Sequence, residues 1–288
     1  MTRDPKKKAD QNTRKNAKRL VTGELAARNA LWNNRNLEAH ALHQRRYRGR
    51  KGAFARKLDK EVEPIFIQTD AIMCAGDAHV PFQDHELVQW LCDVGKETGV
   101  KQLVLGGDTW DCDNYSRFIR MHNLDLTFQD EIEYVRDFLL QLQGTFKEIY
   151  VCRGNHEKRW IALNAGKMNI HNLFALTGVE GLRITGDDHI HVYMGDQDWR
   201  LCHPRSYRQI PLSLARDLAA KHRCNVICYH QHIFSQGWDR SGSYHLADGG
   251  GLFDEHSLDY QRDTYAGPAI KSGFYLLTDN KMIAYEGR

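Results

Sequence analysis

Side chains that can hold a metal or move a proton recur in this 288-residue chain at one kind of place, the end of an apolar run. Ala71-Ile72-Met73-Cys74-Ala75-Gly76 leads into Asp77 and His79, and Leu103-Val104-Leu105-Gly106-Gly107 leads into Asp108 and Asp111. Ile149-Tyr150-Val151-Cys152 leads into Arg153-Gly154-Asn155-His156-Glu157. Further on, Leu201-Cys202 precedes His203, and Val226-Ile227-Cys228-Tyr229 precedes His230-Gln231-His232. An adjacent Asn and His offer a neutral oxygen for a hard cation and an imidazole for proton transfer. Taken singly, each motif has a bland reading, because many Asp residues cap a strand or helix and a lone His is more often structural. The ordered set D-x-H, G-D-x-x-D, G-N-H-E, H and H-x-H, each after an apolar run, predicts instead a metal site assembled at strand ends. In open α/β sheets the carboxyl edge of the strands is where ligands bind.

The elements that must position these residues are legible from periodicity. Leu87, Trp90, Leu91 and Val94 fall at helical spacing between Glu86 and Lys96, and Ile132, Val135, Leu139 and Leu142 mark a second amphipathic helix. With the apolar runs between them, this β-α-β-α-β order calls for largely parallel strands joined by right-handed crossovers. One helical stretch is expected from Glu157 to about Leu176, covering the site. Beyond Gly181 the texture changes to short alternating runs at Leu182–Thr185, His189–Met194, Trp199–His203, Tyr244–Ala247, Gly273–Leu277 and Lys281–Tyr285. These predict a second, mixed or antiparallel sheet, interrupted by a helix at about Leu212–Lys221. His189 and His191 alternate on one such run and read as core or surface residues. Gly249-Gly250-Gly251 reads as a tight turn between strands.

Composition bounds the class. No window approaches the ~18 unbroken apolar residues of a membrane span. The basic start lacks the apolar segment of a signal peptide, so a cytoplasmic protein with no membrane partner is expected. Seven cysteines, odd in number and mostly inside apolar runs, read as buried thiols of a reducing compartment rather than a disulfide framework. The net charge of +3 conceals an asymmetry: the first 60 residues hold 18 Lys and Arg against 5 Asp and Glu, a balance of +13 that leaves −10 on the remainder. The expected organisation is a basic extension over 1–62, partly disordered or helical, and a catalytic domain over 63–288. Within the extension, Arg45, Arg46, Tyr47, Arg48, Arg50 and Lys51 form a basic cluster with one aromatic. It suits phosphate contacts with a base or ribose stacked on Tyr47, and equally suits a solvated basic linker.

The motif set resembles the calcineurin-like metallophosphoesterase superfamily over about residues 70–288. That resemblance implies an α/β fold in which two mixed β-sheets pack as a sandwich flanked by helices, with two metals at the strand ends. Carried over by position, Asp77, His79 and His232 would bind one metal, Asn155, His203 and His230 the other, and Asp108 would bridge both. His156 would donate a proton to the leaving oxygen, and Asp111 would orient it. Two ions about 3.5–4 Å apart would clamp a phosphate and activate a bridging hydroxide for in-line attack. The mixed donor set suits Mn²⁺ first, with Fe, Zn²⁺ or Mg²⁺ as alternatives, and suits Ca²⁺ less well. Two departures stand out: Tyr229 takes the place of the usual Gly before the last H-x-H, and Cys112 and Asp113 follow Asp111 where the phosphoprotein phosphatases have an Arg. Arg153 matches the R-G-N-H-E of that branch.

Substrate contacts are expected from Arg153, Arg117, Arg205 and Tyr207, which lie in or after motif loops. The basic extension favours a phosphodiesterase or nuclease acting on nucleic acid. A phosphatase for protein or small-molecule monoesters, or a nucleotide phosphodiesterase, is the alternative. A binding protein with a vestigial site is the remote one.

Overall fold

The computed structural model describes residues 64–112, 115, 126–164, 167–257 and 269–287. The basic extension, with Arg45 to Lys51, and also Arg117 lie outside these residues.

Two six-stranded sheets are present among the described residues. The first is built on β2 (Ala71–Ala75), β3 (Gln102–Leu105) and β4 (Glu148–Val151), paired in parallel. Helix α1 (His85–Thr98) crosses from β2 to β3, and α2 (Phe128–Gln143) lies between β3 and β4. Both helices begin where a side chain can take up free N–H groups. Asp84 accepts from Glu86 N and Leu87 N, and Thr127 and Asp130 cap α2 reciprocally. Gly99, in the left-handed conformation, closes α1.

Alternation along the strands makes the layers. Met73, Ala75, Leu103, Leu105, Ile149 and Val151 pack with Leu87, Leu91, Val135, Leu139 and Leu142 of the two helices. Their sequence neighbours Ile72, Cys74, Val104 and Tyr150 pack with Ile190, Val192, Trp199, Leu201 and Ile227 of the second sheet. That sheet contains β6 (His189–Met194), β7 (Gln197–Cys202), β8 (Asn225–Cys228), β9 (Phe234–Trp238) and β10 (His245–Gly249). Its other face is covered by α5 (Ser213–His222), through Leu214, Ala215 and Ala219. The arrangement is a sandwich of two mixed sheets flanked by helices, as the family resemblance implies.

Sheet membership departs from the sequence expectation. β5 (Leu182–Ile184) joins the first sheet in parallel with β4, and β11 (Gly273–Thr278) joins it antiparallel to β2. β12 (Lys281–Glu286) completes its edge as a hairpin with β11. In exchange, β1 (Ile65–Gln68), which periodicity did not mark, pairs in parallel with β6. The helical stretch expected over 157–176 is two helices, α3 (Asn155–Leu163) and α4 (Ile170–Ala175). Asn169 caps α4 by accepting from Asn172 N, and an Asn that can bond its own backbone favours such a start over helix interior. All seven cysteines are buried and free. No helix among the described residues is long and apolar enough to cross a membrane.

Candidate metal centre

The polar clusters leave the carboxyl ends of five strands. Asp77 and His79 follow β2, Asp108 and Asp111 follow β3, and Asn155 and His156 open α3 after β4; His203 follows β7, and His230 and His232 follow β8. The loops are fastened to each other: Asp77 N donates to Gly107 O at 2.9 Å, His79 N to Asp108 O at 3.0 Å, and Tyr229 N to Cys202 O at 2.9 Å. Asp77, His79, Asp108, His230 and His232 all adopt positive φ, between 44° and 83°. Such conformations cost side-chain-bearing residues free energy and persist where the surroundings impose them, characteristically at functional sites. Close approach is also built in. A Cβ on Gly154 would stand 2.0 Å from Asp108 Oδ1, so only Gly lets the start of α3 reach that carboxylate.

The side chains converge into two groups. Asp77, His79 and His232 place one potential ligand atom each within 4.8 Å of one another, and Asp108, His203 and His230 do the same. In the first, His79 Nε2 and His232 Nε2 face each other at 3.1 Å, with Asp77 Oδ1 3.9 and 4.0 Å away. In the second, His203 Nε2 lies 3.1 Å from Asp108 Oδ2 and 2.9 Å from Asn155 Oδ1. Asp108 Oδ2 is also 4.0 Å from His79 Nε2, so this carboxylate stands between the groups. His156 is at the margin, its Nε2 3.7 Å from Asp108 Oδ2. Its Nδ1 donates to Asp111 O at 2.6 Å. Asp111 Oδ1 lies 2.9 Å from His79 Nδ1 and 3.2 Å from His156 Nδ1, so one carboxylate aligns both rings.

The cluster demands positive charge. Burial and the neighbouring Asp108 push the Asp77 carboxyl far above the usual range, although His203 opposes them. For His203 burial acts downward, but Asp108 and Asp77 outweigh it and hold the imidazole up at about 10. His156 is raised to about 9 against burial by Asp108 and Asp111. Burial and His203 lower His230 to about 4, and burial with His79 keeps His232 neutral, the form in which imidazole binds metals. Asp77 Oδ1 is buried and has no hydrogen-bond partner. A carboxylate oxygen without a donor, two imidazole nitrogens aimed at one spot and an amide oxygen among them are what divalent cations satisfy. The residues present therefore fit metal ions, held by nitrogen and oxygen donors.

The calcineurin-like phosphoesterase family model matches residues 71–261, about two thirds of the chain. The chain belongs to this family. Among solved structures, YfcE, a phosphoesterase from E. coli, is 12% identical, with 74% of this chain and 90% of that chain covered and a TM-score of 0.40. Vacuolar protein sorting 29 from Cryptosporidium parvum is 14% identical, with 76% and 96% covered and a TM-score of 0.40. No curated protein sequence matches the chain.

For a calcineurin-like phosphoesterase, the departure at Tyr229 is the most consequential. Its ring is fully buried between the sheets, in space left by glycines. A Cβ on Gly76, Gly106 or Gly249 would stand 2.6, 2.1 or 2.3 Å from it. The triple glycine after Asp248 therefore does more than turn: Gly249 makes room for Tyr229, and Gly251 approaches Asp77 Cβ to within 2.8 Å of where its own Cβ would be.

The remaining predicted residues are at the rim. Arg153 is half-buried just before α3, and its N–H donates to Asp187 O at 3.0 Å. Arg205 and Tyr207 are exposed on the segment after His203. His189 is outside the site, paired with Asp187 and Asp188.

Two contributions escaped sequence reasoning. Glu157, quoted within its motif without a role, is fully buried. Its carboxylate accepts from Asp108 N at 3.2 Å, Thr109 N at 2.7 Å, Trp110 N at 3.1 Å and Gly154 N at 2.9 Å. It thus pins the loop that carries Asp108 to the loop that opens α3. Its signal was its place beside His156. Gln231, between His230 and His232, donates to Asp248 Oδ1 at 2.8 Å, and only the folded topology brings these together.

Proposed function

We propose that this protein is a dinuclear metal-dependent phosphodiesterase that cleaves nucleic acid held by its basic N-terminal segment. The observation that carries the catalytic part is the convergence of Asp77, His79 and His232 on one spot and Asp108, His203 and His230 on the next, with His156 beside them. Asp77, His79 and His232 would hold one divalent cation, Asn155, His203 and His230 a second, with Asp108 shared; Mn²⁺ is the first choice for such donors. When bound, the ions supply charge to the phosphoryl oxygens and lower the pKa of a water. The chain's own part is orientation and proton transfer. Asp111 fixes the His156 ring through Nδ1, leaving Nε2 to deliver a proton to the departing oxygen. The nucleic-acid part rests on the +13 balance of residues 1–60.

One observation favours a second reading, a phosphomonoesterase: Arg153, directly before the Gly154-Asn155-His156 turn, suits a terminal phosphate.

The deciding experiment is hydrolysis of labelled single- and double-stranded DNA and RNA with Mn²⁺, beside a monoester and the His156→Ala variant. Cleavage of polynucleotide by the parent, reduced about 10²–10⁴-fold by His156→Ala, is expected. Monoester turnover without polynucleotide cleavage selects the second reading. Inertness of metal-replete protein on every phosphoester overturns both.

A further inference from the structure

Residues Arg205–Pro211 form an exposed segment that starts beside the candidate ligand His203 and ends at Leu212, itself at positive φ before α5. Two main-chain donors, one within the segment and one at Leu212 just after it, reach inward, and both end on one buried pair. Arg208 N donates to Gln231 Oε1 at 3.0 Å, and Leu212 N donates to Asp248 Oδ2 at 2.6 Å. Gln231 Nε2 joins the pair at 2.8 Å, and Ser235 Oγ donates to Asp248 Oδ2 at 3.0 Å. Gln231 is 2% exposed and Asp248 0%. Removing either member of this buried network leaves main-chain and side-chain donors unsatisfied, so the pair ties the segment to the interior.

The His230-Gln231-His232 turn does not need this pair to stay in place. His230 N donates to Asp77 Oδ2 at 2.7 Å, Lys271 N donates to His232 O at 2.9 Å, and Tyr229 N is held by Cys202 O. What Gln231 and Asp248 hold in addition is the exposed segment, at both its middle and its end. That segment carries Arg205, whose planar guanidinium suits an oxyanion of phosphate.

We propose that Arg205–Pro211 is a substrate-gripping arm for the phosphate next to the scissile ester, and that Gln231 and Asp248 are positioning residues that aim it at the centre. The proposal rests on the phosphoesterase reading of the site.

The test uses the full Mn²⁺-loaded chain and a labelled single-stranded oligodeoxynucleotide. Gln231→Met removes the acceptor of Arg208 N and the donor to Asp248, and Asp248→Asn sets an amide against the Gln231 amide. The double change Gln231→Glu with Asp248→Asn exchanges acceptor and donor and restores every hydrogen bond. Each single variant, and Arg205→Ala as well, should raise KM about tenfold, with the loss falling on KM rather than on kcat or bound Mn²⁺. The exchanged pair should bring KM back toward the parent. Trypsin should cut after Arg205 and Arg208 faster in the single variants and at the parental rate in the exchanged pair. Unchanged trypsin rates overturn the positioning role. Faster cutting with unchanged KM, or losses confined to kcat and metal content, overturns the substrate role. If the parent cleaves no phosphodiester, the reading of the site falls and the arm's substrate role with it, while the trypsin rates still judge whether Gln231 and Asp248 hold the segment.

Discussion

Tyr229 fills, with one large ring, a space that three glycines from distant parts of the chain leave open. Its hydroxyl is buried without a hydrogen-bond partner. An unsatisfied buried hydroxyl costs free energy that Phe would not, so Tyr229→Phe should stabilise the protein by about 1 kcal/mol in urea unfolding. Tyr229→Gly restores the residue usual in the family but should cost about 3–5 kcal/mol, because Gly76, Gly106 and Gly249 then line a cavity. Little change in the Gly variant would show that the sheets close over the gap. Glu157 makes a different kind of contribution, since four main-chain N–H groups share its carboxylate. In Glu157→Gln the amide nitrogen faces donors. A loss of about 2–4 kcal/mol in metal-free unfolding, with weaker Mn²⁺ binding by equilibrium dialysis, is expected. Unchanged stability would remove the loop-pinning role. The candidate ligands were legible because each ends an apolar run, a purely local signal. Tyr229's glycines and the Gln231–Asp248 pair were not, because nothing in sequence links position 229 to 76, 106 and 249, or 231 to 248.

Among the elements, those with strong local signals are the ones periodicity located. Helix α2 runs two residues before Asp130 to Gln143, around the Ile132, Val135, Leu139 and Leu142 stripe, and its start is set by Thr127 and Asp130. Thr127 N donates to Asp130 Oδ2 at 2.7 Å, and Asp130 N donates to Thr127 Oγ1 at 3.2 Å. Thr127→Ala should therefore cost about 1 kcal/mol of unfolding free energy, and Thr127→Asn, which keeps a capping acceptor, should recover most of it. An equal loss in both variants would mean that Thr127 contributes packing rather than a cap. Sheet membership was the less legible part. The β11–β12 hairpin alternates like the strands of the second sheet, yet β11 pairs with β2, from the opposite end of the domain. Pairing partners follow from tertiary packing, and alternation shows only that a strand has one face more buried than the other. β1 is too short a run to announce itself, and it gains its place from four parallel pairings with β6.

At the scale of the whole molecule, charge decides how the parts act. The candidate centre brings Asp77, Asp108, Asp111 and Glu157 into the interior, so a cation should stabilise the folded chain. Mn²⁺ at 100 times its dissociation constant should add about 2.7 kcal/mol per site to the unfolding free energy, an increment abolished by a chelator. Identical unfolding curves with and without Mn²⁺ would count against a metal site. The −10 balance of residues 61–288 raises a further question, since an acidic catalytic domain repels a polyanion. On the proposed nucleic-acid reading the +13 segment before it would offset that repulsion, and each phosphate it neutralises should contribute about 0.9 to the slope of log affinity against log salt on duplex DNA. Deleting residues 1–62 should thus weaken polynucleotide cleavage most at low salt and flatten its salt dependence. Hydrolysis of a small chromogenic diester, which spans no more than the centre, should persist. Equal losses on both substrates would assign the segment to folding of the domain, and no loss on either would leave it a solubilising extension of an enzyme for small phosphoesters.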